Sequence, residues 1–165
     1  MIKGITIREI SSYVEQGYQV WIISKNIDQI KGLIDDDTVI WEPNLAPSQS
    51  LLNDVQFYKS NYSWNKEIFI SYFVPMFLRE SNTQAFKDTL NKLYIESRNK
   101  KIALACYCGD ETMCHRSVIM GLLKAVGAET EKDYSPYFLI YRMIQIGTYP
   151  EIKRPKLKLK QEKLL

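Results

Sequence analysis

All three cysteines of this chain, Cys106, Cys108 and Cys114, and its single histidine, His115, fall within ten consecutive residues. Asp110 lies in the loop between the thiols, and Arg116 and Ser117 follow His115 directly. These residue types can do nucleophilic, redox, metal or acid–base chemistry. On an extended chain Cys106 and Cys108 point to the same face, and Gly109 permits a sharp turn after them. Cys114, His115 and Arg116 then open a helix, whose free amides carry partial positive charge and attract anions. Arg116 adds a planar fork suited to phosphate or carboxylate. The same field favours the thiolate form of Cys114. An imidazole beside it can act as general acid or base. The expected site therefore has Cys114, His115 and Cys108 as catalytic groups. Arg116, Ser117, Cys106 and Asp110 surround the ligand.

Several chemistries compete for these residues. Zinc accepts cysteine and histidine, but C-x-C-x5-C-H is not a finger spacing. Adjacent ligands at a helix start are also expected to diverge, so no metal is expected. A phosphatase-type loop needs its arginine six positions after the cysteine, and Arg116 is eight after Cys108 and two after Cys114. A redox pair, Cys108 with Cys114 or Cys106 with Cys108, stays open without a C-x-x-C motif. Cys106, flanked by apolar residues, also reads as a small core side chain. The favoured reading is a pocket for a small anionic or nucleotide-like ligand, with thiol-dependent catalysis. Its alternative is a non-catalytic module that binds nucleotide or nucleic acid. The residues name no cofactor.

The elements that would position this cluster are legible around it. Ile102 to Tyr107 is an apolar run, the mark of a strand covered on both faces. A helix is predicted over His115 to Ala125, with Gly127 as its C-terminal cap. Val20 to Ile23 and Val39 to Trp41 read as two more strands. Helical spacing is found over Thr6 to Glu15, stopped by Gly17, and in shorter form over Ile27 to Ile34. Asp35, Asp36 and Asp37 form a solvated turn. Ser48 caps a helix striped by Leu51, Leu52, Val55 and Tyr58. Ser63 to Glu80 reads as a helix kinked or broken before Pro75. Further helices carry Phe86, Leu90, Leu93 and Tyr94, then Tyr137, Ile140, Tyr141 and Ile144. Strands alternating with helices predict an α/β fold, a small, mainly parallel sheet flanked by helices in three layers, Rossmann-like. In such sheets ligands bind beyond the carboxyl ends of the strands, where Cys106 to Ser117 begins.

A chain of 165 residues with 45% hydrophobic residues fits one globular domain. The expected division is a domain over residues 1–149 and a basic tail over 150–165. The tail holds six Lys or Arg against two Glu, so the +3 of the whole chain leaves the body at −1. The tail is a solvated end, or an arm through which nucleic acid could bind. No apolar run spans a bilayer, and MIKGITIREISS lacks the apolar core of a signal peptide. A membrane partner is not expected, and the expected compartment is a reducing cytoplasm. Many Lys, Ile and Asn residues suggest an AT-rich bacterial or viral genome.

The stretch IALACYCGDETMCHRSVIMGLL resembles the family catalogued as domain of unknown function 488: strand, cysteine, polar loop, Cys-His-Arg, helix. LAPSQSLLNDVQFYKSN resembles that family's Ala-Pro-Ser helix, and Trp64 to Arg79 its next helix. The resemblance covers about residues 40–127. Where the family carries Glu two residues after the strand cysteine, this chain has Cys108. WIISKNID stands where the family has an arginine-rich motif. The resemblance implies a compact three-layer α/β fold with a small anionic or nucleotide-like ligand near Cys-His-Arg.

Overall fold

The computed structural model describes residues 1–61 and 64–155. Four parallel strands form one sheet in the order β1-β4-β2-β3: β1 (Ile2–Thr6), β2 (Gln19–Ile22), β3 (Val39–Trp41) and β4 (Ile102–Cys106). IALAC of β4 has no polar side chain, and all five residues are buried, as an interior parallel strand requires. Ile102, Leu104 and Cys106 join the larger core, with side chains of α2 (Gln49–Asn61), α4 (Val74–Glu80), α5 (Gln84–Ser97), α6 (His115–Ala125) and α7 (Tyr137–Gln145). Ala103 and Ala105 face the smaller core, with Ile5, Val20, Ile22 and Ile10 of α1 (Ile10–Glu15). Helices thus cover both faces, and the fold is the expected three-layer α/β arrangement. Burying each large side chain of β4 contributes about 1.5–3 kcal/mol. The strand that ends at the cysteines is accordingly among the most strongly fixed parts of the molecule.

The register sets the site. Thr6 pairs with Cys106 and Ile22 with Ala105, so β1, β4 and β2 end side by side. Eight residues separate β4 from helix α6, which runs back over the sheet. Gly121 allows close packing there: a Cβ at this position would lie 2.1 Å from the Tyr134 carbonyl oxygen. Gly127, at φ +102°, ends the helix as predicted.

Three elements differ from the sequence reading. The first is β1, which the sequence does not reveal: IKGIT is short and holds a lysine and a glycine. Its outer edge is covered by residues 129–131, through Ile2 N–H to Glu129 O and Glu131 N–H to Ile2 O. Second, the segment from Ile27 to Ile34 forms turns and one 3-10 turn (Lys31–Leu33) instead of an α-helix. Third, the helix containing Pro75 is not broken. A short α3 (Lys66–Ile68) widens into a π-helical stretch (Phe69–Phe73) and continues as α4, with Pro75 in the first turn of α4. The wider turn accommodates the missing proline N–H and turns Phe69, Tyr72 and Phe73 into the core. Of the tail, Pro150 to Pro155 has no regular secondary structure, and Ile152 packs partly buried on the larger core. Lys156 to Leu165, and any strand or nucleic-acid contact they would make, lie outside the described residues.

Candidate functional site

β4 delivers Cys106 to the carboxyl end of the sheet, and the chain loops back to present Cys108, Cys114 and His115 to the same point. Cys106 Sγ lies 3.8 Å from Cys108 Sγ and 4.0 Å from His115 Nδ1. Cys114 Sγ lies 3.6 Å from the same Nδ1. Cys106, Cys114 and His115 are buried, and Cys108 is half-buried. The expectation that Cys114 and His115 diverge is therefore not met. Cys114 is the extended N-cap residue of α6 (φ −127°, ψ 149°), and this bend turns its thiol towards the imidazole. The expectation of no metal thereby loses its geometric ground.

The imidazole is held in one orientation. Its Nε2 lies 2.6 Å from the Ile23 carbonyl, and its ring meets Phe77 edge-on. A carbonyl can only accept, so Nε2 carries the proton. In the neutral ring Nδ1 then keeps its lone pair and turns it to the thiols.

Arg116 occupies a different place from the one its sequence position suggests. Only 1% of it is exposed. Its Nε donates to Cys114 Sγ (3.4 Å), one terminal nitrogen to Ile5 O and the other to Cys108 O (2.6 Å). The guanidinium thus ties β1, the loop and the start of α6 together. No carboxylate pairs with it among the described residues. Burial opposes its charge, yet the surrounding sulfurs, Cys114 foremost, outweigh burial and hold Arg116 protonated. A buried cation needs compensation, and the polar atoms recorded against it are the Ile5 and Cys108 carbonyls and the Cys114 sulfur.

The thiols are not equivalent. The hydrogen bond with Cys108, opposed by one to Cys114 and aided by burial, pushes the Cys106 thiol up to about 11. For Cys108 the bond to Cys106 lowers the value, but the bond to Cys114 and burial outweigh it and push it up to about 11. Two further predicted residues serve the loop. Asp110 accepts from the N–H (2.9 Å) and hydroxyl (2.6 Å) of Thr112, which caps the 3-10 turn Glu111–Met113 and holds its carboxyl below the usual range. Ser117, fully buried, donates to the Cys114 carbonyl at 2.8 Å. Gly109 has ordinary backbone geometry and open space where a Cβ would stand, so the turn does not require it.

Sequence reasoning missed the residues across the sheet end. A cavity of about 420 Å³ there is lined by Thr6, Ile7, Arg8, Gln29, Tyr107 and Gly109. It opens where β1 and β4 end; Tyr107 and Gly109 line it, while Cys108 between them packs on the larger core with Cys106 and Cys114. Arg8 makes no ion pair among the described residues. The neighbouring Glu9 accepts from the N–H (2.7 Å) and hydroxyl (3.1 Å) of Thr6. The signal for Arg8 was β1 itself: with that strand assigned, Arg8 falls two residues past a strand end.

Fold and cluster together define a parallel α/β protein with a cysteine–histidine centre at the carboxyl end of its sheet. A family model described as the active DUF488-N3 subclade matches residues 5–127, and the chain belongs to this domain of unknown function 488 family. The match reaches back through β2 to the end of β1 and so includes the WIISKNID stretch. No curated protein and no solved structure gives a significant match. Among the described residues no helix is long and apolar enough to cross a membrane.

Proposed function

We propose that the protein acts on a small anionic, nucleotide-like molecule bound in the cavity between the ends of β1 and β4. The reading rests on position: the cavity and the Cys106, Cys108, Cys114 and His115 cluster both lie at the carboxyl end of the sheet, where β1 and β4 finish. A volume of about 420 Å³ lies within the range of small-molecule sites. Open sheets take ligands at this end. The cavity by Gln19, Thr38 and Lys101 lies at the amino ends of the strands, away from the cysteines and His115. In this reading Arg8 meets the anion and Tyr107 offers a ring face. Cys108, flanked in the chain by Tyr107 and Gly109 of the cavity wall, is the thiol that would serve the ligand, with Cys114 and His115 completing the reactive centre. Arg116 holds that centre together and supplies its positive charge. The converging thiols and the buried His115 favour an enzyme over a passive binding module, in which the imidazole would face solvent. Three free thiols fit a reducing compartment, and we place the protein in the cytoplasm.

The test is the stability of the full chain in the presence of inorganic phosphate or a nucleoside monophosphate. An anion at ten times its Kd stabilises by about 1.4 kcal/mol, a rise in melting temperature of roughly 3–5 °C. Arg8→Ala, at an exposed position, is expected to weaken binding about tenfold and to leave the unliganded melting temperature unchanged. Lack of a response to either anion at 10–20 mM, roughly the ceiling for weak specific binding, would overturn the reading.

A further inference from the structure

We propose that Cys106, Cys108, Cys114 and His115 bind one tetrahedral zinc-class ion. In a tetrahedral site with Zn–S of about 2.3 Å and Zn–N of about 2.0–2.1 Å, ligand atoms lie roughly 3.8 Å apart for sulfur pairs and 3.5–3.6 Å for a sulfur–nitrogen pair. The distances here are 3.8 Å for Cys106 to Cys108, 3.6 Å for Cys114 to His115 Nδ1 and 4.0 Å for Cys106 to Nδ1. The ligand atoms of Cys106, Cys114 and His115 all lie within 4.8 Å of one another. Cys108 Sγ, 3.8 Å from Cys106 Sγ, lies outside that group of three and would move inward to close the fourth corner.

Two features around the cluster point the same way. Metal-binding histidines hand their second N–H to a carbonyl or carboxylate, which fixes the ring and frees the other nitrogen. His115 has this arrangement, with Nε2 on Ile23 O and Nδ1 towards the sulfurs. Charge gives the second argument. Three thiolates, a neutral imidazole and a divalent ion sum to −1. The buried guanidinium of Arg116, which has no carboxylate partner, brings the unit to neutrality. Its Nε–H on Cys114 Sγ is the kind of outer contact that stabilises a metal thiolate. Cysteine and histidine in a tetrahedron select zinc among the divalent ions available to a cell. The loop that carries the ligands is already closed without the ion, by Arg116 to Cys108 O and by Lys66 Nζ to Thr112 O (2.8 Å). The ion's presence does not depend on the identity of the ligand proposed for the cavity.

Elemental analysis of the full chain, purified with reductant and without chelator, is expected to give about one zinc per chain. Cobalt(II) added to the demetallated protein should give the intense visible bands of a tetrahedral site and near-ultraviolet sulfur-to-cobalt absorption. Cys108→Ser, at the half-buried corner, should weaken the ion about 100-fold against a chromophoric chelator and reduce the sulfur-to-cobalt band. Cys106→Ser and Cys114→Ser should abolish both. If these buried variants fail to fold, the wild-type stoichiometry and cobalt spectrum still decide. Three thiols reacting freely in the native protein, with no zinc and no tetrahedral cobalt spectrum, would overturn the proposal. So would an ion retained equally in all three serine variants. Neither result touches phosphate binding, so failure of the metal proposal and failure of the anion reading are separable.

Discussion

Replacing Arg116 separates two roles with opposite consequences. A cation that faces solvent to grip an anion is dispensable for folding, and its removal is neutral or stabilising. The cation found here is 1% exposed and bonds Ile5 O, Cys108 O and Cys114 Sγ. Arg116→Ala strips donors from three acceptors at once. A buried carbonyl left without its partner costs about 1–3 kcal/mol, and the vacated volume adds a cavity term. Because the loop can relax towards water at Cys108, the total should be about 3–5 kcal/mol. For a chain of this size each kcal/mol moves the melting temperature by roughly 2–4 °C, so a fall of about 6–20 °C is expected. Arg116→Lys keeps the charge but not the fork, and should fall about half as far. Thermal and urea unfolding at neutral pH with reductant measure this. Metal content is read on the same samples, so that a lost ion is not counted as lost hydrogen bonds. If Arg116→Ala melts within about 2 °C of the parent, or above it, the argument from burial is wrong. The guanidinium then belongs to the ligand, as its sequence position first suggests.

Gly121→Ala should lower the melting temperature by roughly 3–10 °C, because the new Cβ would stand 2.1 Å from the Tyr134 carbonyl oxygen. The same change at an exposed helical glycine would stabilise. Gly109→Ala, in open space, should leave thermal stability unchanged. Asp35 accepts from the N–H groups of Asp37 (3.0 Å), Thr38 (2.6 Å) and Val39 (2.8 Å), with Val39 the chief cause that holds its carboxyl below the usual 3.8. A depressed folded value means that the unfolded chain takes up protons first. The stabilisation is complete above the unfolded value and is lost as pH falls through the folded one, below 3.8. Asp35→Ala should therefore melt below the parent at pH 6, and the gap should narrow below pH 3.8; a constant gap across that window would show that the carboxylate is not responsible.

How much of this was legible in the sequence depends on whether a feature is local. IALAC and HRSVIMGLLKA each declare their state by composition and period, and both elements fall where the pattern puts them. Their adjacency places the cluster at a strand end, and that inference needs no tertiary knowledge. Strand β1 is different. Its five residues are held in place by pairing with β4 and by residues 129–131, contacts about a hundred positions away. Without β1 there is no reason to set Arg8 at the mouth of the site, so the cavity stayed hidden. The directions that Arg116 and the thiols take were hidden for a related reason. A motif gives the order of side chains along a helix start, but not the direction each one takes. Here the extended backbone at Cys114 turns its thiol back towards the imidazole, and the following guanidinium finds carbonyls of β1 and the loop. Arg116, read as a ligand of the anion, is thus buried against those carbonyls and the Cys114 sulfur. The cationic side chain left facing the cavity is Arg8, supplied by the one strand the sequence does not show.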